Sequence, residues 1–293
     1  MWIALTVAAA FLQNIRSLLQ KRLTGRLSVN GASYVRFCYA LPFVWVYLGV
    51  LLVDRTLPVP AQQFWGFCLV GAVGQMIATS ALVASFTHRN FAVGTAFSKT
   101  EVLQAALFGL VVLGDPVSES LLAGIAISLA GVWLLLVDSP RRGLFAGGPG
   151  TRAALGLGLL SGACFAVAFV AYRGAALSLP SGDYLLRAAL TLATAVSLQT
   201  LLMAGYLRLR EPGQLRRVIH AWRPGLAVGA TGAFASVGWF TAATLVSAAL
   251  VRGLGQIELI FALLSAAWFF GERVKLQEIL GATLVGVGVW ILL

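Results

Sequence analysis

Lys99 and Glu101 stand inside "AFSKTEVLQAALFGLVVLGD" (96–115), a stretch otherwise apolar nearly from end to end, and Arg252 and Glu258 repeat the theme late in the chain. Acids and bases in apolar surroundings support two kinds of chemistry. They neutralise one another, or they bind an ionic solute or a proton in turn. A charge near the middle of a membrane-spanning helix costs roughly 2.5–3.5 kcal/mol on insertion scales, so residues kept there usually serve a substrate or ion pathway.

With spans read over 91–113 and 248–270, Glu101 and Glu258 fall within about a residue of the span centres, near a bilayer midplane. Helical spacing puts Phe97, Ser98, Gln104, Ala105 and Phe108 on the face of Glu101. Lys99 is roughly 200° away, toward a neighbouring helix or the flank of a cavity. Gln256 occupies the position equivalent to Lys99, and Arg252 lies a turn and a half before Glu258. Two readings stay open: structural ion pairs between helices, or carboxylates that bind an ammonium group or trade a proton. Burial raises a carboxylate's proton affinity and a nearby cation lowers it, which is how a proton could be coupled to a solute.

Weaker candidates lie in other spans. Gln75, and Asn14 beside Gln13, either line a cavity or bond to a neighbouring helix. Trp239 is a candidate aromatic wall, with Phe240, Trp268 and Tyr172. Arg36 and Arg187 sit close to span starts, and Asp183 lies four residues before Arg187, the spacing of a helical ion pair. These three are expected to be structural. Gly158–Gly162 and Gly225–Gly229 have the small-xxx-small spacing of close helix contacts.

These residues must be positioned by helices in lipid. The chain of 293 residues is 59% hydrophobic and 11% charged, against roughly 25% charged in an ordinary soluble domain. Apolar runs predict ten spans: Trp2–Gln20, Ser33–Val53, Phe64–Thr87, Phe91–Leu113, Ser118–Val137, Arg152–Tyr172, Asp183–Leu207, Pro224–Leu245, Ala248–Phe270 and Leu276–Leu293. The first has no basic leader segment and is interrupted by Gln13, Asn14 and Arg16, so it is expected to be a helix rather than a cleaved signal.

Several functions are disfavoured. Cys38, Cys68 and Cys164 lie inside spans with no CxxC. His88 and His220 are far apart, no HExxH or GxxxxGK[ST] occurs, and no Asp-rich run could hold a diphosphate through Mg²⁺, so a membrane enzyme is only a remote alternative. The net charge of +11 has no basic domain to serve nucleic acid. It tracks topology instead: loops after odd-numbered spans carry fourteen Lys and Arg, those on the other face only Arg55 and Arg173. The positive-inside rule then puts the odd loops in the cytoplasm and both termini outside.

An internal repeat completes the plan. Residues 101–136 align without a gap on 258–293, with eleven identities including Glu101/Glu258, Gly124/Gly281, Gly131/Gly288 and Trp133/Trp290. "VGAVG" (70–74) answers "VGATG" (228–232), and Arg22, Gly31 and Arg36 answer Arg173, Gly182 and Arg187 at a constant offset. The expectation is an all-α integral membrane protein of ten transmembrane helices in two five-helix repeats, 1–137 and 152–293, joined by a cytoplasmic linker, 138–151. Five being odd, the second repeat enters the membrane inverted, the plan of many secondary transporters.

The ten-span duplication, the Arg early in the second helix of each unit, and the "GD…G…G" and "GER…G…GVGVW" endings resemble the EamA-type drug/metabolite transporter superfamily over the whole chain. Among its described members the YddG-type bacterial amino-acid exporters are the nearest architectural match. The resemblance implies a ten-helix basket with helices 1–4 and 6–9 around a central cavity and helices 5 and 10 outside it. It also implies alternating-access transport of small organic solutes across a bacterial inner membrane, export leading and uptake as the alternative. No cofactor is implied beyond coupling to protons, and the partners would be a small-molecule substrate and lipid, with a monomer as the working unit. The chain departs from the family in having "TEV" and "IEL" where many members have a proline early in helices 4 and 9. It also departs in its termini, which several relatives keep in the cytoplasm. Cysteines introduced between 208 and 217 should react with an impermeant thiol reagent only after cells are opened, and tags at both termini should be reachable from outside. A C-terminal reporter active in the cytoplasm overturns this orientation.

Overall fold

The computed structural model describes residues 1–21, 23, 26–86, 97–136, 149–270 and 275–293, and among these all regular structure is helical. In order the helices are α1 (Trp2–Lys21), α2 (Val29–Cys38), α3 (Leu41–Leu51), α4 (Gln62–Phe86), α5 (Glu101–Leu113), α6 (Glu119–Leu136), α7 (Pro149–Leu177), α8 (Tyr184–Arg210), α9 (Gln214–His220), α10 (Trp222–Leu245), α11 (Ala248–Leu254), α12 (Glu258–Phe270) and α13 (Leu276–Leu292). A short 3₁₀ turn, Gly255–Ile257, joins α11 to α12.

Seven helical segments are long and apolar enough to cross a membrane, and α5, α6 and α13 are shorter apolar helices at three of the remaining expected places. At 1.5 Å per residue the 13 residues of α5 reach about 20 Å, short of the roughly 30 Å of a hydrocarbon core. Residues 91–96, assigned to the same span, lie outside the described residues, as do most of the linker 138–151, Arg22 and His88. Large apolar side chains stand exposed, among them Trp45, Val46, Leu107, Val111, Leu201 and Leu209. On a soluble protein such surface would drive association, whereas lipid contacts it at no cost.

Two expected spans are irregular. The second begins at Val29 rather than Ser33, because Ser28 caps it: its Oγ accepts from the Gly31 N–H at 3.0 Å. The Glu211 carboxylate accepts from Ser28 and from Asn30 Nδ2, holding that end. The span then bends at Tyr39–Ala40, since Pro42 takes the first turn of α3, where its missing N–H leaves no bond unmade. An added Cβ on Gly229 would lie 2.4 Å from the Tyr39 backbone carbon, and one on Gly225 2.6 Å from the Tyr39 ring. The Gly225–Gly229 spacing therefore does make a close contact, and it seats the bend. The ninth span narrows to a 3₁₀ turn at Gly255–Ile257 while continuing as a helix from Ala248. The loop after the seventh contains α9, which the apolar pattern did not predict.

The chain forms two compact units, residues 1–76 with 171–246 and residues 77–170 with 247–293. Each draws on both halves of the sequence. Unit 1 is built on α1–α3, α8 and α10 around a core that includes Val44, Leu48, Phe64, Cys68, Leu186 and Leu192. In unit 2, Val102, Leu121, Ile125 and Leu292 pack together, and α6 lies along α13 at backbone distance. A Cβ on Gly124 would meet the Gly288 carbonyl at 2.7 Å, and one on Gly131 the Gly281 carbonyl at 2.6 Å. These pairings run antiparallel and are reciprocal: exchanging each glycine for its repeat equivalent turns one contact into the other. Gly288→Leu must separate the two backbones, and an overpacking cost at or above the upper end of about 1–3 kcal/mol is expected. Gly286→Leu on the same helix, where nothing lies within 4 Å of an added Cβ, is the control. Equal melting temperatures for the two purified variants would refute this packing.

Candidate functional site

Unit 2 contains a charge cluster. Glu101 is the first residue of α5 and Glu258 the first residue of α12, so neither sits at the centre of a continuous helix as the spans implied. Each carboxylate thus stands near the positive end of its helix dipole. Glu101 pairs with Arg252, and Glu258 with Lys99. Each carboxylate of one repeat is thus met by a cation of the other. The side chains are 5–15% exposed. Arg252 also lies within electrostatic reach of Glu258, so the four charges form one balanced group.

Lys99, expected to face a neighbouring helix rather than Glu101, meets Glu258 of α12, and residues 99–100 form a turn before α5 begins. That turn rests on α7: an added Cβ on Gly162 would lie 2.8 Å from the Ser98 carbonyl and 3.3 Å from the Glu101 nitrogen. Ser161 anchors the same stretch of α7, its Oγ donating to the Ala78 carbonyl at 2.9 Å. The Arg252 guanidinium stacks over Phe169 at 5.3 Å. Amides border the group. Gln104 donates to Thr100 Oγ1 at 3.0 Å, and its buried Oε1 has no partner among the described residues. Gln256, on the 3₁₀ turn, is 2% exposed, with neither Nε2 nor Oε1 hydrogen-bonded to described residues. Ser98 is buried beside Lys99 in sequence.

The remaining candidates belong to unit 1. Gln75 accepts from Gln199 Nε2 at 2.7 Å, and Gln199 also donates to the Tyr172 hydroxyl at 2.7 Å. Trp239 is buried and donates Nε1 to Gln13 Oε1 at 3.1 Å, and Asn14 is buried on α1. Arg36, read as structural, lines a small cavity with Arg16, Gln75 and Gln199. The Asp183–Arg187 ion pair does not form. Asp183 is the N-cap of α8, with extended backbone, its Oδ1 accepting from the Leu186 N–H at 2.9 Å and its other oxygen 3.2 Å from Arg55. Arg187 instead donates to the Gly182 carbonyl at 2.9 Å. Its backbone role as a cap outranks the spacing. Gln199 and Arg16 were missed as site residues, although each is a polar interruption of an apolar run.

Among known proteins, the model of the EamA-like transporter family matches residues 1–137 and 152–293. A solved crystal structure, described only as that of a protein, has the same fold, with a TM-score of 0.77 over 99% of this chain and 95% of its own at 15% identity. No curated protein matches.

Neutralising Glu101 alone leaves Arg252 buried beside Glu258 with its bonded partner gone, and Glu101→Gln should destabilise the protein by roughly 3–5 kcal/mol. Glu101→Gln with Arg252→Gln should restore most of that. Equal thermal stability of wild type and the single variant in detergent would show that the pair is not formed.

Proposed function

The chain belongs to the EamA-like transporter family and is a multi-pass membrane protein, and from this we propose that it is a secondary transporter of small organic solutes whose working centre is the Lys99, Glu101, Arg252 and Glu258 group. The observation that carries the reading is the placing of these charges: two acids and two bases, balanced, largely buried, and each paired across the sequence repeat. A zwitterionic solute can set its ammonium at Glu258 and its carboxylate at the displaced Lys99 without creating net charge, and Lys is the easier cation to displace because it makes point contacts where Arg can fork. Gln256, buried with its amide unsatisfied by described residues, is a polar group that a ligand would satisfy.

In this reading the chain makes ten crossings as two inverted repeats, supported by the reciprocal glycine contacts of α6 and α13. The turns at residues 99–100 and 255–257 fit transporter sites built on discontinuous helices. Alternating access moves amino acids or related metabolites, by resemblance to YddG-type exporters and in the outward direction. The protein works as a monomer in a bacterial inner membrane with both termini periplasmic, without a cofactor, and with protons as the coupling ion through Glu101 or Glu258.

Purified protein in liposomes tests this. Lys99→Gln with Glu258→Gln keeps the centre neutral and should fold, yet counterflow of labelled amino acids should fall at least tenfold. Wild-type flux in the folded double variant would make the pair structural and remove the proposed site. A pH gradient that leaves flux unchanged would remove proton coupling alone.

A further inference from the structure

Unit 1 contains a second buried charge cluster of opposite character. Arg16 on α1 and Arg36 on α2 line one cavity with Gln75 from α4, Gln199 from α8, and Ser236 and Phe240 from α10. The cavity is about 20 Å³, room for one water-sized occupant. Its lining carries two guanidiniums and no carboxylate. Arginine is always protonated and offers only donors.

The surrounding side chains are held rather than free to withdraw. Arg16 is 7% exposed, and its stem runs past Gly232, where an added Cβ would meet Cδ at 3.2 Å. Arg36 lies over the Phe37 ring at 4.9 Å. Gln199, 2% exposed, bridges Gln75 and Tyr172, and Tyr172 packs on Phe240 at 4.9 Å between ring centres. Gln199 donates to Gln75 Oε1, which sets the orientation of the Gln75 amide. The wall is therefore rich in fixed donors and cation.

We propose that this cavity is an anion site, taking a monovalent anion between the Arg16 and Arg36 guanidiniums with the Gln75 amide and Ser236 hydroxyl as further donors. Two like charges held in a low-dielectric wall are stabilised by a bound counter-charge, and a cation is repelled. The occupant is either a free halide or one carboxylate oxygen reaching in from an organic solute whose remainder stays outside the cavity, since both present negative charge to the same donors. No residue is shared with the ion-pair group of unit 2, and the proposal stands whether or not that group moves solute.

The test is thermal unfolding of the purified full-length protein in detergent, at constant ionic strength, in sodium chloride, sodium acetate or the bulkier sodium gluconate. A saturable rise of a few degrees over gluconate is expected from anions that fit. It should be lost in Arg36→Gln and kept in Arg210→Gln, an exposed control. A rise with acetate alone assigns the site to solute carboxylates, and a rise with chloride alone to a free halide. No saturable difference among the anions, or one that survives in Arg36→Gln, overturns the site. Should Arg36→Gln fail to fold, wild-type crystals soaked in bromide decide: an anomalous peak between Arg16 and Arg36 is expected, and bromide found only elsewhere overturns the proposal.

Discussion

Charge placed where water is scarce has to be balanced by charge, and in unit 2 this constraint decides the local structure. Glu101 and Glu258 sit at the starts of α5 and α12, so each helix dipole does part of the balancing and the facing cation does the rest. The turn before Glu101 and the 3₁₀ segment before Glu258 are the backbone counterpart of the ion pairs. Gly162 admits the first of these turns at a distance no other residue tolerates. At the far end of α5, Gly114 takes a left-handed conformation (φ 68°), closing the helix so that the Asp115 N–H reaches the Gly109 carbonyl at 3.1 Å.

Packing must then hold without the drive that water supplies, because lipid tails solvate leucine as well as another helix does. The α6 and α13 pair answers with glycine. Four glycines bring two backbones into direct contact, where dispersion over many short contacts replaces hydrophobic burial. Large apolar residues such as Leu122, Ile279 and Trp290 are consequently free to face outward. In unit 1 the glycines serve aromatic residues: Gly71 receives the Tyr172 ring and Gly229 the Tyr39 backbone. The repeated "VGAVG" and "VGATG" segments mark these two places.

Much of this was legible in the sequence, and the failures share one cause. Apolar run length found the long helical stretches but not α9, and the residues that interrupt those runs found the charge cluster. Run length is blind to breaks inside a run. The Tyr39–Ala40 bend and the Gly255–Ile257 turn fell within spans read as continuous, although Pro42 and the Gly253–Gly255 pair announced them. The spacing that aimed Lys99 away from Glu101 toward a neighbouring helix agrees with its pairing to Glu258, but it could not name that partner. Asp183 and Arg187 show the complementary error, a spacing rule applied at a helix end where capping competes for the same carboxylate. Partner identity, Glu101 with Arg252 and Lys99 with Glu258, depends on which helices touch and is not encoded in local spacing at all.

The two polar clusters ask different things of whatever approaches them. The unit 2 group is neutral, and its acids and bases can trade partners, or admit a zwitterion between a lysine and its carboxylate, while the total stays at zero. Such exchange avoids the largest electrostatic barrier, an isolated charge in a low-dielectric interior. The unit 1 cavity has no such freedom. Its guanidiniums cannot shed their charge, Arg16 lies against Gly232 and Arg36 over Phe37, and the residues that line the cavity include no carboxylate. A balanced group is suited to motion, and an unbalanced rigid one to selection.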